Sequence, residues 1–132
     1  MRSGKVNETK HLRILVLFPG SLGDFLCFLP TLNAIQSSIP NGKIVLVARA
    51  ELLPIAQRIL GVSLTSSLDN RLFAKLFAPY ASITQGEADF FSSACEIFSW
   101  FGHTRPEVKA TLRKFAPGPV RSFAFFTDET NF

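Results

Sequence analysis

Asp24 closes the stretch Phe18-Pro19-Gly20-Ser21-Leu22-Gly23-Asp24, which follows the apolar run Ile14-Leu15-Val16-Leu17-Phe18 and precedes a segment with helical spacing. A strand, a Gly-rich turn and a helix in succession open a βαβ unit, and ligands of open α/β sheets sit at the carboxyl end of such a strand. Gly20 and Gly23 permit backbone angles and close approaches that a Cβ would forbid, and their N–H groups could cradle a phosphate. The same glycines fit a turn with no ligand. Ser21-x-x-Asp24 also has the form of a capping box, in which the carboxylate only serves the start of the helix. The full dinucleotide and P-loop glycine patterns, G-x-G-x-x-G and G-x-x-x-x-G-K-[ST], are absent.

The other reactive side chains are few. His103 lies in Gly102-His103-Thr104 and could hydrogen-bond a phosphate or hydroxyl, although a loop histidine without partners is commonly just solvated. His11 sits in a polar, basic lead-in, residues 1–12. Cys27 and Cys95 are far apart in apolar surroundings and read as buried free thiols of a reducing, cytoplasmic compartment. Two separated histidines and two thiols make no metal site, and no cofactor is implied. Trp100 and Phe101 read as core or interdomain surface more readily than as a sugar-stacking platform. Lys109, Arg113 and Lys114 read as a solvated helix face, with contact to an anionic membrane face as the alternative.

The elements that must position these residues follow from periodicity. Strand one covers 14–18. A helix starting near 21–24 carries Leu29, Leu32, Ile35 and Ile39, is expected to kink or restart at Pro30, and ends at Pro40-Asn41-Gly42. Strand two covers 44–48, a continuous apolar run of the kind buried on both faces of a parallel sheet. A helix over 51–60 has Pro54 in its first turn and Gly61 as its left-handed stop. Strand three is expected at 62–65. Asn70 caps a short helix holding Leu72, Phe73, Leu76 and Phe77. Residues 80–93 are ambiguous, with a helix at 87–93 as an option. Strand four covers 95–101, and Thr104 with Glu107 forms a capping box for a helix reaching Phe115. Strand five covers 120–126.

This alternation predicts an α/β fold: one Rossmann-like domain over 13–132, with a parallel sheet and helices on both faces. Strand one should lie between strands two and four, so that Gly20–Asp24 and Gly102–Thr104 face one crevice. The chain of 132 residues is long enough for a real core, and its net charge of +4 suits anionic partners without arguing for nucleic acid. The apolar run 14–32 is interrupted by Gly20, Ser21, Gly23, Asp24 and Pro30, which argues against a membrane span. The sequence ends just past strand five, where a further covering helix belongs, so the domain reads as truncated. The phenylalanines, most of them beyond Leu72, imply heavy packing in the second half.

Arg13-Ile14-Leu15-Val16-Leu17, Gly20-Ser21-Leu22-Gly23-Asp24 and Leu29-Pro30-Thr31-Leu32 together resemble the opening of the heptosyltransferase family, glycosyltransferase family 9 of lipopolysaccharide assembly. The likeness continues through Ile39-Pro40, Lys43-Ile44-Val45-Leu46-Val47, Leu52-Leu53-Pro54-Ile55-Ala56, Gly61-Val62 and Leu68-Asp69, and is loose beyond. It implies the N-terminal, acceptor-side half of a two-domain GT-B glycosyltransferase, with the nucleotide-sugar-binding domain absent and the chain alone inactive. It implies inverting transfer to a glycan or glycolipid acceptor at the inner membrane's cytoplasmic face. Asp24 falls on the family's proposed catalytic base. Gly20, Ser21, Leu22 and Gly23, together with Gly102 and His103 that the expected strand order brings to the same crevice, are the expected substrate-binding residues. A carboxylate within reach of the acceptor hydroxyl can take its proton as the nucleotide diphosphate leaves. Two readings stand beside this one: a nucleotide-binding Rossmann module of another class, with Glu51 near a ribose, and a non-catalytic remnant.

Overall fold

The structure, a computed structural model, describes residues 13–39, 43–62, 64–76, 83–102 and 105–124. The expected lead-in, the Pro40-Asn41-Gly42 stop, Phe77, His103, Thr104 and the end of strand five beyond 124 lie outside the described residues.

Strand β1 (Arg13–Leu17) is the centre of the fold. It pairs in parallel with β2 (Lys43–Ala48) on one side and β4 (Glu96–Ser99) on the other. β3 (Leu64–Ser67) and β5 (Val120–Ser122) complete an all-parallel, five-stranded sheet of order β3-β2-β1-β4-β5. Parallel neighbours need crossover connections, and these are helical. Helix α1 (Leu22–Ser37) joins β1 to β2, and α2 (Leu53–Leu60), entered through a 3₁₀ turn at Ala50–Leu52, joins β2 to β3. Helices α3 (Arg71–Lys75) and α4 (Gln85–Ser92) precede β4, and α5 (Pro106–Phe115) precedes β5.

Successive strand residues point to opposite faces, so an apolar run covered on both sides feeds two cores. Ile14, Val16, Ile44 and Leu46 meet Phe25, Phe28, Leu32 and Ile35 of α1 and Ala56 of α2. Leu15, Leu17, Val47 and Ile97 meet Leu72, Phe73, Phe91, Val108 and Leu112 on the other face. The fold is therefore a doubly wound, Rossmann-like α/β fold. The later phenylalanines find one another here, with Phe91 edge-on to Phe73 and Phe90 and stacked on Phe115.

Several boundaries differ from the sequence expectation. Helix α1 runs through Pro30 without restarting. The carbonyl that loses its donor belongs to Leu26, on a solvent-exposed stretch where water can serve it. β3 begins two residues late because Val62 is buried against α2, its N–H reaching Ala56 O. Thr84 and Glu87 cap α4 reciprocally, placing its start at Gln85. The N-cap of α5 is Arg105, which pairs with Glu107 at 2.9 Å; the expected Thr104 box falls outside the described residues. Cys27 is exposed rather than buried, and Cys95 is half-buried; both are free thiols. Among the described residues, no helix is long and apolar enough to cross a membrane.

Candidate functional site

The winding reverses between β1 and β4, and the carboxyl ends of these strands define the crevice. Two backbone bonds fix what stands there. Phe18 N–H donates to Val47 O at 2.9 Å, continuing β1 past its last ladder residue, and Trp100 N–H donates to Leu17 O at 2.9 Å. Ser99, fully buried, ties down the turn: its Oγ donates to Phe101 O and accepts from Phe101 N–H. Trp100 thereby joins the α1 side of the sheet and Phe101 the opposite side.

A cleft of about 320 Å³ opens between α1 and the ends of β4 and β5. Phe18, Asp24, Cys27, Phe28, Thr31, Trp100 and Ala124 line it. One wall is aromatic: Phe18 stacks on Phe28 with centroids 4.3 Å apart, Phe28 meets Trp100 edge-on at 4.7 Å, and Trp100 stacks on Phe123 at 4.5 Å. Each such pair adds about 0.5–1.5 kcal/mol beyond area burial, so the rings hold one another in place. The polar side chains come from α1, where 24, 27 and 31 are spaced to share a helix face.

Asp24 is held by the loop before it. Ser21 N–H and Ser21 Oγ both donate to Asp24 Oδ2, at 3.3 and 3.1 Å. Gly20 is buried between two of the lining residues: a Cβ there would stand 2.7 Å from the Phe18 ring and 2.8 Å from Asp24 Cβ. Arg49, beyond the end of β2, donates Nε–H to Pro19 O at 3.3 Å and braces the loop from the other side.

The expected site residues separate into distinct roles. Asp24 lines the cleft, Ser21 holds Asp24, and Gly20 makes room for it. Leu22 and Gly23 are exposed at the start of α1 and do not line the cleft. Gly23 has open space where a Cβ would be and a negative φ, so neither crowding nor backbone angle demands glycine there. Gly102 has φ 66°, and a Cβ on it would stand 2.9 Å from Val108. Its turn therefore packs toward the opposite core. His103 falls outside the described residues.

No protein-family model, curated protein or solved structure matches the chain. The site's chemistry is thus argued from its own residues. Phe28, Cys27, Thr31 and Trp100 were not singled out by sequence as a group. The spacing 24, 27, 31 was the available signal for the α1 members, and the strand order was needed to bring Trp100 opposite them.

The remaining ionisable groups lie elsewhere. Glu87 sits below its ordinary carboxyl value, chiefly because it accepts from Lys75 Nζ at 2.8 Å and also from Thr84 N–H. Glu107 is likewise lowered, by its own backbone N–H and by Arg105. Burial, reinforced by the neighbouring Glu96 charge, pushes the Cys95 thiol up.

Proposed function

We propose that this chain is the acceptor-side domain of a heptosyltransferase-like glycosyltransferase, with Asp24 as the base that takes the proton of the attacking hydroxyl. The observation carrying this reading is that Asp24 enters an aromatic-walled cleft at the winding reversal, anchored through one carboxylate oxygen by Ser21. The second oxygen is then the one to meet a hydroxyl proton. General-base assistance of this kind is typically worth ~10²–10⁴-fold in rate. The resemblance of the β1–α1 stretch to glycosyltransferase family 9 agrees with a carboxylate at this place. A nucleotide-sugar donor and a glycan or glycolipid acceptor are the partners of this reaction.

The dinucleotide-binding reading is less well supported by the same geometry. In that arrangement a pyrophosphate rests on the N-terminus of the first helix. Here Asp24 holds that end, and like charges would meet. Glu51 lies in the exposed 3₁₀ turn after β2.

Binding by the chain itself tests the proposal. Trp100 is the sole tryptophan and lines the cleft, so its fluorescence reports occupancy directly. Saccharides should produce a saturable change, and dinucleotides should not. Tight saturable binding of a dinucleotide with no response to saccharides would refute the proposal. In a complete protein that joins this domain to a nucleotide-sugar-binding domain, Asp24→Asn should abolish transfer, read by mass spectrometry, while saccharide binding persists.

A further inference from the structure

We infer, building on the glycosyl-transfer reading, that the cleft seats an uncharged sugar ring and selects against a phosphorylated one at this position. Phe18, Phe28 and Trp100 offer an apolar wall against which the C–H face of a pyranose can pack. Asp24 and Thr31, two turns apart on α1, offer an acceptor and a hydroxyl to the ring's own hydroxyls. The volume of about 320 Å³ lies at the small end of the ~300–1,000 Å³ usual for ligand sites. It suits a single ring better than a nucleoside diphosphate.

The lining carries the selectivity through its charge. Among the described lining residues the only ionisable groups are the Asp24 carboxyl and the Cys27 thiol, and none is basic. Arg49 reaches the neighbouring loop but is bonded to Pro19 O and does not line the cleft. Arg121 on β5 is paired with Glu96. A phosphate placed beside Asp24 would meet a like charge without a cation from the wall to offset it. The chain's overall positive charge therefore does not describe its cleft.

The test is a fluorescence titration of the whole chain with methyl hexosides and with the same hexosides carrying one phosphate. Neutral glycosides should shift or quench Trp100 emission saturably, and the monophosphates should bind at least tenfold more weakly. Asp24→Asn should close most of that gap by removing the repelling charge. Thr31→Val leaves Asp24 and the helix cap untouched; it should weaken neutral glycosides severalfold while preserving the preference over phosphates. Equal or tighter binding of the monophosphates overturns this inference and leaves the glycosyl-transfer reading standing. Silence toward both kinds of glycoside overturns that reading and this inference with it.

Discussion

Ser21 grips Asp24 by a single oxygen: backbone N–H and hydroxyl both converge on Oδ2. The backbone bond is the carboxylate's half of the α1 capping box, and the hydroxyl bond orients the cleft's carboxylate beside it. Removing the hydroxyl should cost both functions unequally. Ser21→Ala should destabilise the fold by about 0.5–2 kcal/mol, the usual price of an N-cap serine. It should also weaken saccharide binding, because the carboxylate is then held by the backbone N–H alone. Asp24→Ser, which keeps a short polar group on the first turn, should be milder in stability but equally damaging to binding. Urea unfolding and Trp100 titration on the two variants separate the effects. Unchanged binding in Ser21→Ala would show that the bond is a cap and nothing more.

The two glycines of the loop should behave oppositely. Gly20→Ala drives a methyl into the Phe18 ring and Asp24 Cβ, the latter close to backbone that cannot swing away. Overpacking of this kind costs about 1–3 kcal/mol, and here it should displace Asp24 as well. Gly23→Ala places its methyl in open space at a negative φ inside α1. It should be neutral or stabilising by up to about 1 kcal/mol, since alanine restricts the unfolded chain and favours helix. Thermal unfolding of both variants checks the contrast, and a destabilised Gly23→Ala would mean that the exposed turn has a partner.

The sheet order was legible because β1 and β2 are unbroken apolar runs, and only a strand covered on both faces needs one. β3 was misplaced for the converse reason. It is an edge strand reading Leu64-Thr65-Ser66-Ser67, and the apolar Val62 that seemed to start it belongs to the packing of α2. The start of α4 was written in Thr84-x-x-Glu87 but masked by a stretch with no clear apolar period. At the site, Asp24 was readable from its turn. Cys27 was not, because its apolar neighbours Leu26 and Phe28 made it read as core: a helix turns about 100° per residue, which buries Phe28 in the cleft wall and leaves Cys27 exposed at the cleft. Trp100 joins the cleft only through the pairing of β4 with β1, which no local pattern encodes.

Acid should loosen the joint between α3 and α4. Glu87 accepts Lys75 Nζ and caps α4, and its carboxyl titrates below the ordinary 4.5. A carboxyl lowered in the folded state contributes stability that is complete above its unfolded value and is lost as pH falls through the folded one. Glu87→Gln should therefore be less stable than the parent at neutral pH, with the difference shrinking below pH 4.5. Both partners are partly exposed, so the effect should be small and should fade in high salt. Melting temperatures across an acid series decide it; a constant offset at every pH would assign the loss to the cap geometry alone.

Cys27 offers a second reporter of the cleft, independent of fluorescence. It is exposed and lines the cavity, whereas Cys95 is half-buried with its thiol pushed up by desolvation. Alkylation proceeds through the thiolate and requires access, so iodoacetamide at neutral pH should label Cys27 well before Cys95. A saturating neutral glycoside should slow labelling at Cys27 and leave Cys95 unaffected, since only the first lies in the ligand's path. Peptide mass spectrometry resolves the two sites in one experiment. Equal protection of both thiols would mean that the ligand tightens the whole fold, and protection of neither would place the bound sugar outside this cleft.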